Sequence, residues 1–597
     1  TMHTKETSLS NSSLMPTALY TSEQIYAMEQ AWFAEGYNSF ALMQQAAWQM
    51  TQRIIEIHYQ TQSYKLSTTA KHALIWVGQG NNGGDGWLIA LYLQQIGWQV
   101  KVITIGLNAM ENSVSSEKGN DNAQVLESEQ LSDALKAQRK ALAANISFVR
   151  FEDSNFDKNN LVSADVYIDA IFGIGLNRAP SASYEQAINR FNILSKEMAA
   201  LVVSVDIPSG VVASTGEVFE GCAIKADITL CLIARKLGLH TKDGMDYAGT
   251  GFDIPLIPIG QTDSSETNNS NDTKKSTLPA ATLLKSAYAL PPRQQNSHKG
   301  SYGHVLIIGG NRIDGSQGMG GAAILAASSA MATGAGKITV ACHDAFHGAL
   351  LTSLPDAMTI DLHDMKGVKD LIQDASVVAI GMGLGRDKKA EKCFIDYVET
   401  TILAEKSLII DADGLYHLAS LHQEEHELVM KLKDHSKNNK VYLTPHSGEA
   451  ARLLNTKIEE VEGNRLAAIK QCADNYGGDW VLKGAGSLVL EQSLESINCE
   501  QQIYICAVGN AGMATAGMGD ILSGVCAGLL AQLDLTNKQR SLTQAVLVHG
   551  LAGDIVLSQN TESSYFNNQQ PMTIGQRGLQ AQDMPTAVRH VMQSLIV

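Results

Sequence analysis

The stretch GQGNNGGDG, Gly78–Gly86, holds five glycines, two asparagines and one aspartate in nine residues, directly after the apolar run HALIWV. Glycine is unfavourable for chain entropy, so such a run indicates positive φ angles or another group lying against bare backbone. A tight structural turn explains the glycines alone, whereas Asn81, Asn82 and Asp85 add polar groups that a plain turn does not need. The spacing matches neither the dinucleotide-binding fingerprint nor the phosphate-binding P-loop.

Two aspartates stand at the ends of later apolar runs in the first half of the chain. Asp169 stands at the end of a strand-like segment, before the glycine turn of DAIFGIGL, and Asp206 follows LVVSV in VDIPSG. Each carboxylate has an ordinary alternative role as a helix cap or a buried structural group. The N–H groups of a glycine-rich turn at the start of a helix attract anions, and next to such a turn an acidic group is unfavourable unless it binds a cation or moves protons. The pair therefore indicates cation binding or proton transfer.

The second half carries another glycine-rich turn, VGNAGMATAGMGD, which leads into the helical run ILSGVCAGLLAQ. Asp520 stands where the turn meets the helix, so it is either an N-cap or a group that accepts a proton from a hydroxyl attacking a phosphate. The segment VLKGAGSLVL predicts a turn at Lys483–Ser487 between two strands, and LTPHSGE places His446 just past a strand end. A lone histidine is more often an ordinary hydrogen-bonded residue, but this polar cluster is typical of ligand binding.

These motifs need strands and helices that bring them together. In the first half, apolar strand-like segments alternate with helical ones, and the run WLIALYLQQIGW after the glycines predicts the helix of a βαβ unit. The polar segment 261–277 predicts a linker, after which the alternation restarts. Both halves are therefore expected to be α/β domains with mostly parallel sheets, in which ligands bind at the carboxyl ends of the strands. We predict domains over residues 17–260 and 278–597.

Composition restricts the class of protein and its partners. With 44% hydrophobic and 18% charged residues the chain is typical of a globular protein, and its net charge of −16 argues against nucleic acid or an acidic membrane as a partner. The eight cysteines form no C-x-x-C pair, and no apolar stretch has the length of a membrane span. We expect a reduced, cytoplasmic protein that works on small molecules.

The motifs GQGNNGGDG, DAIFGIGL and VDIPSG, in this order, resemble the epimerase domain of the bifunctional NAD(P)H-hydrate repair enzymes. The resemblance implies a Rossmann-like three-layer domain that interconverts the R and S forms of hydrated NADH and NADPH (NADHX and NADPHX). It implies potassium ligands at Asn82, Asp169 and Ser209, and we predict that Asp169 moves a proton near the ring hydroxyl. Ile174 stands where the family more often has threonine. The substrate-binding residues that the resemblance implies are Asn81, Asn82, Gly83, Gly84, Asp85, Gly173, Ile174, Gly175, Leu176, Asn177, Arg178, Ala179 and Asp206.

The second half resembles the ADP- or ATP-dependent NAD(P)HX dehydratase domain, a ribokinase-like α/β fold. The resemblance implies phosphorylation of the ring hydroxyl, with magnesium and ADP or ATP, followed by phosphate elimination. It makes Asp520 the catalytic base or the residue that contacts the substrate hydroxyl. The hydrated nucleotide would be bound by Ala322, Gly383, His446 and Asp520. The ADP or ATP would be bound by Lys483, Gly484, Ala485, Gly486, Ser487 and Gly519.

Two other functions stay open at this point. A kinase for a vitamin precursor explains Asp520 and its glycine turn but leaves the first half unexplained, and a ligand-binding module explains the asparagine-glycine loop without catalysis. Ala511, Ala516 and Met518 replace the family's usual proline, glycine and threonine, and Met382 replaces a proline. Because alanine restricts positive φ, reduced dehydratase turnover is one expected consequence. We expect a homo-oligomer, and the choice between ADP and ATP is left open.

Overall fold

The structure of the chain is a computed structural model that describes residues 15–61, 71–106, 131–153, 156, 163–259, 278–313, 318–492, 501–558 and 574–597. The chain divides into two compact units, Ala18–Ala281 and a second made mainly of Thr282–Val597. The predicted linker 261–277 lies outside the described residues, and the predicted domain boundaries stay a prediction. In the described ranges, none of the helices combines the length and apolar character that crossing a bilayer requires.

The first unit has nine strands in its described residues, and seven of them form one parallel sheet. Its strands are β1 (Thr17–Tyr20), β2 (His72–Val77), β3 (Gln99–Thr104), β4 (Phe148–Arg150), β5 (Val166–Ala170), β6 (Leu201–Val205), β7 (Ile228–Leu232), β8 (Arg235–Lys236) and β9 (Thr250–Ile254). The sheet order is β4-β3-β2-β5-β6-β7-β9, and β1 pairs in parallel with β8. Because the strand order reverses between β2 and β5, a crevice is expected at their carboxyl ends.

Helices cover both faces of this sheet. The α-helices are Ser22–Ala34, Ser39–Thr61, Asn81–Gln95, Asp133–Ala143, Ala182–Glu197 and Gly244–Tyr247. Ile75 and Val77 of β2 belong to one hydrophobic core, whereas Leu74 and Trp76 belong to another, together with Phe191. Since successive residues of a strand point to opposite faces, the two cores confirm the predicted three-layer arrangement.

The second unit is also built on a mostly parallel sheet. Its strands are β10 (Ala281–Leu284), β11 (His304–Ile308), β12 (Lys337–Cys342), β13 (Met358–Asp361), β14 (Val377–Ile380), β15 (Ser407–Ile410), β16 (Val441–Leu443), β17 (Asp479–Leu482), β18 (Ser487–Gln492) and β19 (Gln501–Cys506). Their order is β13-β12-β11-β14-β15-β16-β17-β18-β19-β10, with antiparallel pairing only where β18 meets its two neighbours among these strands. The order reverses between β11 and β14, which places a second crevice there.

The helix that begins near Asp520 packs closely on a neighbour. The α-helices of this unit are Gly320–Ala332, His347–Ser353, Met365–Asp374, Lys388–Leu403, Asp413–Gln423, Glu427–His435, Ser447–Leu453, Ile458–Gly463, Arg465–Tyr476, Met518–Leu530, Leu542–Ser558 and Met584–Ser594. A Cβ added at Gly524 would overlap the Ser329 hydroxyl and the Ala326 carbonyl. The Ser329 hydroxyl also donates to the Ile521 carbonyl (2.9 Å). The small residues therefore let two helix backbones approach, and this packing holds the start of the helix in place.

Candidate active sites

The glycine run lies where β2 ends and helix Asn81–Gln95 begins. This helix starts earlier than the sequence predicted, at Asn81 instead of near Trp87, so three of the glycines lie inside its first turns. A Cβ added at Gly83 would overlap the Gly78 carbonyl oxygen. All glycines of the run have φ outside the left-handed region. Close approach of neighbouring groups, and not turn geometry, therefore explains why side chains are missing at four of the five glycines, whereas Gly80 has open space around it.

A cavity of about 870 Å³ lies beside this helix start. Its walls include ten of the predicted substrate-binding residues: Asn81, Asn82, Asp85, Gly173, Ile174, Gly175, Leu176, Asn177, Arg178 and Asp206. Gly83, Gly84 and Ala179 are not among the lining residues, whereas Ile171 and Phe172, directly after β5, are. The cavity thus lies at the carboxyl ends of β2 and β5, and its volume is within the range of roughly 300–1,000 Å³ typical of ligand pockets.

Asp169, the next-to-last residue of β5, is fully buried and lies behind the cavity wall. The Ser209 hydroxyl donates to its Oδ1 (2.5 Å), and the Ile171 N–H donates to the same atom (3.3 Å). The Ser204 hydroxyl (2.7 Å) and the Ser209 N–H (2.8 Å) donate to its Oδ2. Burial raises the pKa of Asp169 to about 6, although these hydrogen bonds favour the ionised form. The carboxyl is therefore a firmly held group that titrates close to neutral pH.

The three predicted potassium ligands lie around one peptide. The Asn82 Nδ2 donates to the Phe172 carbonyl (2.8 Å), and the Phe172 N–H donates to the Ser209 hydroxyl (2.8 Å). Ser209 in turn donates to Asp169. Because Asn82 uses its amide nitrogen in this contact, its amide oxygen stays available as a ligand. The structure thus brings together the three side chains, which come from different parts of the chain.

Asp206 and Lys236 form an ion pair on the cavity wall. The Lys236 side chain is fully buried, and its ammonium donates to Asp206 Oδ1 and to the Leu232 carbonyl. The Leu232 N–H also donates to Asp206 Oδ1 (3.1 Å). Asp206 has a φ of 68°, in the left-handed region that residues other than glycine rarely adopt. Such outliers are found preferentially at functional sites, which agrees with the predicted role of this residue.

Two more carboxyl groups, Asp85 and Glu29, line the same cavity. Burial raises the pKa of Asp85 well above its ordinary value, and the charges of Asp206 and Glu29 raise it further. Burial and Asp206 also raise the pKa of Glu29, while Lys236 lowers it. With Asp133, which also lines it, the cavity therefore combines four carboxyl groups with one buried ammonium, an arrangement that suits proton transfer.

In the second unit, Asp520 is the third residue of helix Met518–Leu530. The N-cap of this helix is Gly517, in the left-handed region with a φ of 86°, so Asp520 does not occupy the N-cap position of the alternative interpretation. Burial raises the pKa of Asp520 to about 7; the charge of Asp411 raises it further, and that of Lys483 lowers it. A carboxyl that titrates near neutral pH is suited to act as a general base.

Lys483 connects this helix start to two other elements. Its Nζ lies 3.2 Å from Asp411 Oδ1 and 3.8 Å from Glu449 Oε2. The Ser523 hydroxyl donates to Asp411 Oδ2 (2.6 Å). Burial lowers the pKa of Lys483, but the charges of Asp411 and Glu449 outweigh burial and raise it. The site thus holds a charged lysine among carboxylates, at the carboxyl ends of β15, β16 and β17.

The predicted nucleotide-binding residues Lys483–Ser487 form the turn between β17 and β18. Gly484 and Gly486 have φ values of 151° and 68°, so glycine is needed at both positions. A Cβ added at Gly519 would lie 3.1 Å from the Lys483 Nζ. The structure therefore brings this turn next to the start of the helix that carries the predicted catalytic base.

His446 has a structural role and an exposed ring. It is the N-cap of helix Ser447–Leu453, and its Nδ1 accepts from the N–H groups of Gly448 (3.0 Å) and Glu449 (3.3 Å). Its side chain is nevertheless 59% exposed, and its backbone forms a β-bridge with Lys483. Its Nε2 lies 3.5 Å from Glu449 Oε1, so the exposed ring stands next to a carboxylate that also lies beside Lys483.

Gly383 and Ala322, the remaining predicted substrate-binding residues, come from different elements. Gly383 follows β14 with a φ of 65°, and Ala322 lies in the first turn of helix Gly320–Ala332. A Cβ added at Gly383 would lie 3.2 Å from the Ala322 Cβ. The pair therefore borders the point beside β14 where the strand order of the second sheet reverses.

Comparisons with known proteins identify the family. A family model described as YjeF-related protein N-terminus matches residues 39–238, and one described as NAD(P)H-hydrate dehydratase matches residues 305–572. The bifunctional NAD(P)H-hydrate repair enzyme Nnr of Coxiella burnetii is 31% identical over 95% of this chain and 98% of its own. The Vibrio cholerae enzyme of the same name is 33% identical over 97% and 99%. The chain belongs to the family of bifunctional NAD(P)H-hydrate repair enzymes.

Some solved structures are similar to about half of this repair-enzyme chain. One is the ADP/ATP-dependent NAD(P)H-hydrate dehydratase from Bacillus subtilis, co-crystallised with ATP/Mg²⁺. It is 23% identical, covers 51% of this chain and 95% of its own, and has a TM-score of 0.39. The two family matches fall one in each half, in the predicted order. They confirm the predicted order of the two domains, and the two mostly parallel sheets confirm the predicted α/β class of both.

Several charged residues of the two sites were not predicted. Glu29 and Lys236 belong to helix Ser22–Ala34 and strand β8, neither of which contains a motif of the family resemblance. Asp411 follows β15 in IIDAD, a segment for which no site residue was predicted. An aspartate directly after a buried strand was the available signal for Asp411, whereas nothing in the local sequence indicated Glu29.

The substitutions that set this repair-enzyme chain apart from the family pattern are accommodated by its packing. Ala516 does not need a positive φ, because Gly517 takes the left-handed conformation. Met518 and Met382 are 5% and 0% exposed and belong to the hydrophobic core of the second unit. The strain expected at Ala516 is therefore not present, and the effect of these residues on turnover stays a prediction.

Proposed function

We propose that this chain repairs hydrated nicotinamide nucleotides. Its first domain, residues 17–260, interconverts the R and S forms of NADHX and NADPHX, and its second, residues 278–597, dehydrates the S form at the expense of ADP or ATP. The observation that carries the proposal is the similarity to bifunctional repair enzymes over nearly the whole length of both chains. Two separate sites, each with a buried carboxyl that titrates near neutral pH, support it.

In the first site, Asn82, Asp169 and Ser209 are the proposed potassium ligands. Their chemistry fits a hard cation, which takes oxygen ligands: Asn82 has a free amide oxygen, and the hydroxyl and carboxylate of the other two form one linked pair. A bound potassium ion would supply positive charge that favours the ionised form of Asp169. The donors from Ser204 and Ile171 hold this carboxylate in position for such a role.

Epimerisation acts on a ring carbon that carries both a hydroxyl and the ring nitrogen, so water must leave and return or the ring must open. The helix start Asn81–Asp85 and the loop Gly173–Ala179 would bind the nucleotide, because residues of both form much of the cavity wall. Asp169 is the predicted proton carrier. Since it lies behind the wall, a proton passing between Asp169 and the ring would have to travel through the Ser209 hydroxyl or through water.

In the second site, the proposed reaction is phosphorylation of the ring hydroxyl followed by loss of phosphate, which leaves far more readily than hydroxide. Asp520 would accept the hydroxyl proton, and the N–H groups at the start of its helix would face the phosphate. Lys483–Ser487 and Gly519 would bind ADP or ATP. Ala322, Gly383 and His446 would bind the hydrated nucleotide.

Magnesium is the proposed metal of this site. Within the described ranges, no three His, Cys, Asp or Glu side chains are placed to hold a metal ion. Magnesium usually keeps several waters and binds through phosphates and one or two carboxylates, so a preformed cage is not required. Asp411 and Glu449 are the carboxylates that fit, since both lie beside the Lys483 ammonium, next to the turn that would bind the nucleotide phosphates. The ion would neutralise charge on the transferring phosphoryl group.

The deciding experiment is to incubate the full chain with R- and S-NADHX, potassium, magnesium and ADP or ATP, and to follow the absorbance of the reduced nicotinamide. We expect both forms to be recovered, and only when nucleotide is present. If the recovered absorbance corresponds only to the S-NADHX in the mixture, the proposed epimerase activity is refuted. If no absorbance is recovered with either ADP or ATP, the proposed dehydratase activity is refuted. A vitamin-precursor kinase would not restore the absorbance. A cytoplasmic homo-oligomer stays a prediction, to be checked by cell fractionation and light scattering.

A further inference from the structure

Asp85 is a buried carboxyl group that the proposed epimerase site leaves without a partner. Asp85 is 7% exposed and lines the cavity. Among the described residues, its carboxyl group forms no hydrogen bond or ion pair. By contrast, Asp169 accepts four hydrogen bonds and Asp206 is paired with Lys236. A buried carboxyl without donors is unfavourable in its ionised form, so Asp85 retains its proton or uses it on a ligand.

The charges around Asp85 favour its protonated form. The other charged residues that line the cavity are Glu29, Asp133, Arg178, Asp206 and Lys236. Lys236 is already bound to Asp206, and Arg178 is exposed, so neither compensates a second buried carboxylate. Burial first, then the charges of Asp206 and Glu29, raise the pKa of Asp85. The cavity therefore places a carboxyl group whose protonated form is favoured beside the lysine-bound carboxyl group of Asp206, a combination found at acid-base sites.

The backbone explains why this side chain reaches the cavity. Gly83, Gly84 and Gly86 flank Asp85 in the first turns of the helix, and added Cβ atoms at these glycines would meet neighbouring groups at 3.0 Å or less. The helix therefore lies directly against the strand ends, and the single side chain among these glycines faces the cavity. Asp85 is thus presented by a rigid element, as a catalytic group requires.

We propose that Asp85 is the general acid of the epimerase site and protonates the ring hydroxyl as it leaves. The proposal rests on the epimerase function proposed above. The Asp85 proton passes to the hydroxyl oxygen, the C–O bond breaks with its electron pair going to that oxygen, and water departs. The lone pair of the ring nitrogen forms a C=N bond, which leaves a cationic ring that the surrounding carboxylates stabilise.

The return of water completes the epimerisation. Water adds to the opposite face of the ring carbon, the C=N electron pair returns to the nitrogen, and a cavity carboxylate takes the proton of the water. Glu29, which lies on the helix before the glycine run and lines the same cavity, is the carboxylate that we assign to this step. Exchange through solvent then returns the proton to Asp85, so atoms and charges balance over one cycle.

The test uses the full chain with Asp85→Asn, and with Asp246→Asn as a matched control at an exposed aspartate of the same unit. R-NADHX and S-NADHX are supplied separately with ADP or ATP. We expect Asp85→Asn to lower recovery of the R form at least ~100-fold, while recovery of the S form, which needs only the second site, stays within about twofold. The control should match the wild type with both forms.

The wild-type pH profile gives a second measurement that does not depend on the folding of the variant. Because the acid must carry its proton, kcat/KM for the R form should fall as pH rises through the raised pKa of Asp85. A folded Asp85→Asn chain that recovers the R form at the wild-type rate, or a wild-type profile without this alkaline fall, would overturn the proposal. If Asp169→Asn abolishes epimerisation whereas Asp85→Asn leaves it intact, the acid is Asp169. If the wild type does not convert the R form faster than buffer alone, the epimerase function itself fails.

Discussion

Asp520→Asn tests whether the second site performs base catalysis. Because the N-cap of this helix is Gly517, the substitution removes no capping side chain. Asn also keeps the size of the side chain. The folded state holds an extra proton on Asp520, since its pKa is raised from 3.8 to about 7 by burial first and by Asp411 second. Stability from this group is therefore present at low pH and lost as pH rises towards 7, so at pH 8 the variant should melt at the wild-type temperature or above.

The magnitude of the catalytic effect follows from the same pKa. A base with a pKa of about 7 is about one tenth ionised at pH 6 and about nine tenths at pH 8. Wild-type kcat/KM for S-NADHX should therefore rise about tenfold over this interval. Asp520→Asn should lose at least ~100-fold in rate and the pH dependence with it, while calorimetry should still detect ADP or ATP bound at Lys483–Ser487.

Asp411→Asn is the matched variant for the electrostatic part of the argument. It removes the carboxylate whose charge is, next to burial, the largest cause of the raised pKa of Asp520. It also removes one of the negative charges that balance the Lys483 ammonium. The midpoint of the pH profile should therefore move to lower pH. A wild-type profile that is flat between pH 6 and pH 8, or a folded Asp520→Asn chain that dehydrates S-NADHX at the wild-type rate, would refute the reasoning.

Three further predictions follow from the first unit. Gly83→Ala should destabilise this unit by about 1–3 kcal/mol, because the added Cβ would overlap a backbone carbonyl. Gly80→Ala serves as the control, because a Cβ at Gly80 meets nothing within 4 Å. Equal melting temperatures of the two variants would contradict this prediction. Ser209→Ala should raise the potassium concentration needed for half-maximal epimerisation, and an unchanged potassium titration would remove this residue from the ion site. A chain that ends at Ala281 should melt at a higher temperature than one that ends at Gly260, since residues 278–280 hydrogen-bond to the first strand and helix; identical melting would favour the predicted boundary.

Much of the fold was predictable from the sequence because its signals are local. Buried parallel strands such as β2 and β11 are short apolar runs, and the glycine and aspartate residues that follow them mark strand ends in any α/β sheet. The pairing of Asn82, Asp169 and Ser209 was predictable only through the family resemblance, since these residues are far apart in the chain. The start of helix Asn81–Gln95 was predicted too late because glycine has a low helix propensity, which close packing outweighs here.

The sequence by itself determined which side chains stand at the strand ends, because the residues that follow an apolar strand in the chain are also the residues at its carboxyl end in the fold. Only the tertiary structure decided which of them share a cavity. Glu29 comes from a helix that precedes the sheet, and Lys236 from a two-residue strand, yet both reach the wall that holds Asp85. Whether a carboxyl holds a proton depends on burial and on neighbours from distant segments, and no local pattern specifies these. The same reason separates the enclosed Asp169 from the unpartnered Asp85, although both are aspartates beside glycine turns.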